Sequence, residues 1–180
     1  MPDECSQYPG YPKFRTELQH AVAGKSGEAL RALFHPTGAM RVNGIGGRAS
    51  TPDWGFGRPE AETVWAELEE IVALGCASRD GKLYLPAMSA EGAEADQLVV
   101  LKSADVHALP RENAPILRST RHGDRLMAYI HDQPAGWTQV LVKERVGYVR
   151  TEAVRSPSSF RLVLVPFEGG WRIREFGDGV

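Results

Sequence analysis

Between Leu98 and Pro157 short bursts of alternating residues are cut at regular intervals by turn signals. Val99, Leu101 and Val106 sit in extended stretches that run into Leu109-Pro110. Pro110 and Pro115 each fix φ and lack a backbone donor, so no helix fits between them. Ile116-Leu117 leads to the turn signal His122-Gly123-Asp124. Leu126, Ala128 and Ile130 then alternate with Met127 and Tyr129, up to a second turn at residues 132–136. Trp137, Gln139 and Leu141 interleave with Thr138, Val140 and Val142, giving a strand with two distinct faces. A charged tip, Lys143-Glu144-Arg145, precedes Val146, Tyr148 and Val149. Strands of this length, divided this often by turns, predict a small barrel or sandwich.

The flanks read differently. Phe14, Leu18, Ala21 and Val22 share a helical face that Gly24 ends. Ser26 is a good N-cap for a second helix carrying Ala29, Leu30, Leu33 and Phe34, which His35-Pro36 stops. Pro59 suits the first turn of a third helix with Val64, Leu68, Ile71 and Val72 on one face, and Gly75 ends it. Between the second and third helices, Gly44 to Gly57 is rich in glycine. It lacks the G-x-x-x-x-G-K-S/T spacing of a phosphate cradle, and no helix starts directly after it, so it reads as a surface loop. Asp80-Gly81 predicts a tight turn before Leu83-Tyr84-Leu85. The tail predicts a hairpin: Arg161 to Val165, a turn at Glu168-Gly169-Gly170, then Trp171 to Phe176 with Trp171, Ile173 and Glu175 on one face.

In the middle region, Asp105-Val106 with Pro110, Gly123-Asp124, Trp137 with Val140, and Gly147-Tyr148-Val149 occur in order. This series resembles the bacterial SH3-like (SH3b) domain. The chain departs from that pattern where His107-Ala108-Leu109 replaces the usual first-strand Arg. Leu74-Gly75-Cys76 and the aromatic run Trp171 to Phe176 resemble, in addition, a family of exported bacterial proteins built around such a domain. The resemblance implies an α+β chain: an N-terminal α-helical region with a Gly-rich loop (residues 1–95), a small SH3-like β-barrel (96–156), and a C-terminal β-hairpin docking on the rest (157–180). It also implies export, to the periplasm or beyond, with the signal peptide missing from this sequence. Read alone, the N-terminus Met-Pro-Asp-Glu-Cys has neither a basic segment nor an apolar run, which fits a cytoplasmic protein.

Composition narrows the partners. With 21 Lys and Arg against 23 Asp and Glu the net charge is −2, so no basic excess draws nucleic acid. No stretch approaches the ~20 apolar residues that span a bilayer. Cys5 and Cys76 can form one bridge or remain two buried thiols. A bridge would close ~70 residues and contribute about 4 kcal/mol in the chain-entropy account.

Catalytic patterns are weak. The five histidines, at 20, 35, 107, 122 and 131, show neither H-x-x-x-H nor H-E-x-x-H spacing. His107, His122 and His131 could approach one another and, with Asp124 or Asp132, hold a metal, although turn-borne surface histidines explain them as well. Glu60, Glu62, Glu67, Glu69 and Glu70 read as a solvated helix face. No G-x-S-x-G elbow occurs. The expectation is therefore no enzyme, no catalytic residues, no metal and no cofactor. SH3-like barrels recognise extended ligands on aromatic surfaces, which points to Tyr129, His131, Trp137 and Tyr148 as ligand-binding residues. The expected role is a non-catalytic envelope module that binds a peptide, peptidoglycan or a protein partner. The alternatives are a structural scaffold with no ligand in the barrel, and a histidine-dependent metal enzyme.

Overall fold

The computed structural model describes residues 3–42, 45–48, 61–91, 96–129, 133–157 and 159–177. The described elements run α1 (Tyr11–Ala23), α2 (Gly27–Ala32), β1 (Phe34–Val42), β2 (Ile45–Arg48), α3 (Ala61–Ala73), β3 (Ala77–Arg79) and β4 (Lys82–Leu85). They continue through β5 (Gln97–Val100), β6 (Ala104–His107), β7 (Ile116–Thr120), β8 (Arg125–Ala128), β9 (Trp137–Val142), β10 (Arg145–Arg150) and β11 (Val154–Arg155). The last two strands are β12 (Arg161–Phe167) and β13 (Gly170–Gly177).

These elements form two units. The first joins Met1–Glu91 to Ser159–Val180, and the second, Gly92–Ser158, is inserted into it. The first unit is built on a six-stranded sheet in the order β2-β1-β13-β12-β4-β3. This overturns the expected helical N-terminal region: the chain is mostly β, its helices are short, and four strands lie before residue 92. The second helix does end before Pro36, but β1 starts as early as Phe34 and runs through the proline. The pairing of β1 with β13 is irregular between Phe34 and Ala39, and such a break accommodates a residue without an N–H. Residues 45–48 of the glycine-rich stretch pair antiparallel with β1; Gly44 and residues 49–57, like Pro59, lie outside the described residues.

The C-terminal hairpin packs with the N-terminal part of the chain in this first unit. Its strands are the centre of this sheet: β12 pairs with β4, and β13 pairs in parallel with β1. A bulge shifts the β12–β13 register between Val163 and Leu164, so Leu162 faces Phe176 while Leu164 faces Ile173. The expected face of Trp171, Ile173 and Glu175 is thereby broken. Phe176 joins the core and Glu175 turns to solvent. Phe14 and Leu18 of α1, Leu68 and Ile71 of α3, Leu83, Leu85, Leu164 and Ile173 all belong to this core. Gly75 ends α3 with φ 77°, and Asp80-Gly81, both at positive φ, make the tight turn that pairs Arg79 with Lys82.

Several contacts fasten the N-terminal arm to this unit, among them the Glu4 amide donating to the Cys76 carbonyl at 2.9 Å. A disulfide joins Cys5 to Cys76, with Cα atoms 5.6 Å apart. The Tyr8 hydroxyl donates to Ser78 Oγ at 2.7 Å. Trp171 Nε1 donates to the Pro9 carbonyl at 3.1 Å, and the Tyr8 ring meets the indole edge-on.

The inserted unit is a seven-stranded sheet, β11-β5-β8-β9-β10-β6-β7. Among the described residues β11 and β7 are edges that do not pair with each other, so the sheet is open where a small closed barrel was expected. Alternation sets which face of a strand is buried, but closure depends on whether the outermost strands meet. One face carries the core: Val100, Val106, Leu126, Val140 and Val149. Gly147 has no room for a side chain, because a Cβ there would lie 2.5 Å from Val106 Cγ1. Asp124 accepts from the Arg121 amide and shapes the turn before β8.

Candidate binding site

The second face of the inserted sheet is the candidate. On β9 the residues opposite the core are Trp137, Gln139 and Leu141; on β10 they are Val146, Tyr148 and Arg150. Cross-strand partners share a face, so Arg150 stands beside Trp137, Tyr148 beside Gln139, and Val146 beside Leu141. Tyr148 also pairs with His107 of β6, and His107 with Ile116 of β7. On the other flank Met127 of β8 pairs with Leu141. Leu141, Val146 and Tyr148 are half-buried, while Ile116 and Met127 are 55% and 54% exposed.

Of the four residues expected to bind a ligand, Trp137 and Tyr148 share this face. Tyr129 follows β8, half-buried, with its amide donating to the Gln139 carbonyl at 3.0 Å. His131 lies outside the described residues, as does Asp132. Trp137 is only 5% exposed, although it lies outside the cluster of Val100, Val106, Leu126, Val140 and Val149. Its cover is local. The Arg150 guanidinium lies 4.3 Å from the indole centroid, and the His107 ring meets it edge-on at 5.6 Å. Arg150 Nε donates to Glu112 Oε1 at 2.6 Å, and Arg150 Nη2 lies 2.5 Å from the same oxygen. His107 Nε2 is 3.9 Å from Glu112 Oε2.

Sequence reasoning missed Glu112 and Arg150. Arg150 was within reach of it, two residues beyond Tyr148 on the same strand face. Nothing local marked Glu112, which arrives on the loop between β6 and β7. His107 is not a surface turn residue: it ends β6, is buried, and its Nδ1 lies 3.1 Å from the Ala114 carbonyl oxygen. His122 does sit in a turn, with Nδ1 2.6 Å from the Leu101 carbonyl oxygen. Among the described residues the grouping with metal-capable atoms is Asp3, Cys5 and Cys76, where the two sulfurs are bonded to each other and Asp3 pairs with Arg15. Among those residues, too, no helix is long and apolar enough to cross a membrane.

No protein family and no curated protein matches the chain. Solved structures similar to it include two that align only at low identity. NlpC2 from Trichomonas vaginalis aligns at 9% identity and a TM-score of 0.30, over 44% of this chain and 32% of that one. The chain thus spans about a third of that protein's length. A chain named Rd1NTF2_05, carrying five substitutions, aligns at 12% identity and a TM-score of 0.32, over 94% of this chain and 96% of that one. Likenesses this distant bear on neither fold nor activity.

Proposed function

We propose that the chain is a non-catalytic interaction protein of the bacterial cell envelope whose inserted unit, residues 92–158, is the binding module for a peptide, a wall component or a protein partner. The observation that carries this reading is the second face of the open sheet. Ile116, Met127, Leu141, Val146 and Tyr148 leave apolar surface in contact with solvent, on the face opposite Val100, Val106, Leu126, Val140 and Val149. A contiguous apolar patch with polar groups at its margin marks an interaction surface. The ordered residues Asp105-Val106, Gly123-Asp124, Trp137 and Gly147-Tyr148-Val149 keep the resemblance to bacterial SH3-like domains within this proposal, without the closed barrel.

Export is supported by the Cys5–Cys76 bridge, since disulfides of this kind persist in oxidising compartments. The test is retention of the purified chain on isolated wall material at low salt. Retention that falls when Tyr148 and Met127 are both changed to Ser supports the reading, and no retention removes the wall as partner. One observation favours a scaffold role instead: the Trp137 ring is covered by the chain's own Arg150 and His107. A double variant that binds like the parent would support that alternative.

A further inference from the structure

Glu112 sits where a ligand carboxylate would. An arginine stacked on an indole presents its N–H fork with little freedom left to lose, which is a geometry suited to carboxylates. Here the fork is filled by a carboxylate of the same chain, through Nε at 2.6 Å and Nη2 at 2.5 Å. That occupant is held loosely. The Glu112 and Arg150 side chains are 65% and 43% exposed, and exposed ion pairs contribute little. Beneath them Trp137 stays buried, so the station itself is built and its occupant is exchangeable.

A second observation points to a partner at the same place. Three large apolar residues are well exposed among the described residues, and two of them, Leu109 at 46% and Ile116 at 55%, bracket the loop that carries Glu112. Ile116 reaches the station through the row Ile116, His107, Tyr148, one residue pair away from Trp137 and Arg150. Leu109, Glu112 and Ile116 thus place two apolar side chains around one carboxylate, on an irregular segment punctuated by Pro110 and Pro115.

We infer that the Arg150–Trp137 pair is a carboxylate-binding station, closed in this structure by Glu112, whose partner is an extended peptide with a Glu or Asp side chain between apolar residues. The inference rests on the reading of residues 92–158 as a binding module and names its site and partner class. The peptide's carboxylate replaces Glu112 on Arg150, and its apolar neighbours take the exposed surface of Leu109 and Ile116.

The test is titration of the full-length, nitrogen-15-labelled chain with acetyl-Leu-Glu-Leu amide. The Trp137 indole N–H signal, assigned with Trp137→Phe, and the Arg150 Nε–H signal report the station. The expected result is that both signals move with the Glu peptide and stay put with its Gln counterpart. Glu112→Gln should then bind up to about fivefold tighter, the factor equivalent to the ~1 kcal/mol upper value of an exposed ion pair. Arg150→Gln should abolish the response. Arg150→Lys, which keeps the charge and loses the fork, should weaken it and serves if the Gln variant does not fold. Still signals in Glu112→Gln, or no tightening there, overturn the inference. A response only to acetyl-Leu-Gln-Leu with a free terminus overturns the assignment to a side-chain carboxylate. Dimerisation of Glu112→Gln without added peptide makes a second copy the occupant and overturns it as well. Wall retention that survives Arg150→Gln leaves the binding module standing and sinks the station. Failed retention with a successful titration removes only the wall as partner and leaves both the module and the station standing.

Discussion

Two buried rings in the first unit illustrate opposite relations between burial and hydrogen bonding. Trp171 is buried and satisfied: 8% of it is exposed, and its indole N–H reaches the Pro9 carbonyl. Truncation would leave a cavity and an orphaned acceptor, so Trp171→Ala should destabilise by about 3–5 kcal/mol in chemical denaturation. A melting temperature within a degree or two of the parent's would show instead that the ring is not part of the core. Tyr11 is buried and unsatisfied: it is 1% exposed, and its hydroxyl has no hydrogen-bond partner among the described residues. Burial pushes its pKa from 10.0 to about 12. The folded state therefore holds this proton through a range in which the unfolded state has released it, and stability falls as pH rises through that window. Two units correspond to about 2–3 kcal/mol at most. Tyr11→Phe should be neutral or stabilising at neutral pH, and should lose less stability than the parent between about pH 10 and 12. Parallel denaturation curves for the two proteins across that range would reject the assignment.

At the scale of elements, turn chemistry decides how well each hairpin is made. The β3–β4 turn uses Asp80-Gly81 and the β12–β13 turn uses Glu168-Gly169, with a glycine at the second positive-φ position in each. The β9–β10 turn has no such relief. Lys143 and Glu144 both adopt positive φ, 46° and 65°, to pair Val142 with Arg145. Side chains with a Cβ resist that region, and Asn-Gly suits it. Replacing Lys143-Glu144 by Asn-Gly should raise stability by about 1 kcal/mol without touching the Trp137 face. A drop in the melting temperature would mean that these side chains make interactions outweighing the backbone strain.

At the scale of the whole molecule, the first unit is interrupted in mid-sheet. β4 and β12 are neighbours, paired Leu85 to Leu162, yet the entire second unit lies between them in sequence. The ends of the insertion therefore leave from neighbouring strands of one sheet. Joining Glu91 to Ser159 with a short Gly-Ser linker should give a chain that folds cooperatively, keeps the Cys5–Cys76 bridge and shows one thermal transition. Residues 96–157 expressed alone should fold with their own transition. A molten far-ultraviolet signature for the excised first unit would show that the insertion is required for its fold.

How much of this was legible follows from the range of the interactions. The turns at Gly75, Asp80-Gly81 and Gly169, the helical faces of α1 and α3, and the alternation of β9 and β10 were readable, because each depends on residues within one turn or one strand. So was the possibility of the Cys5–Cys76 pair, though not its formation. The open edge of the inserted sheet, the parallel pairing of β1 with β13 and the central place of the tail were not readable. Sequence periodicity records which face of a strand is buried and carries no information on which strand lies beside it. Glu112 and Arg150 were missed for the same reason: 38 residues separate them, and only the folded sheet brings a loop carboxylate onto a strand arginine. The sequence by itself determined the local elements and their buried faces, while the tertiary structure decided the strand neighbours, and with them the site.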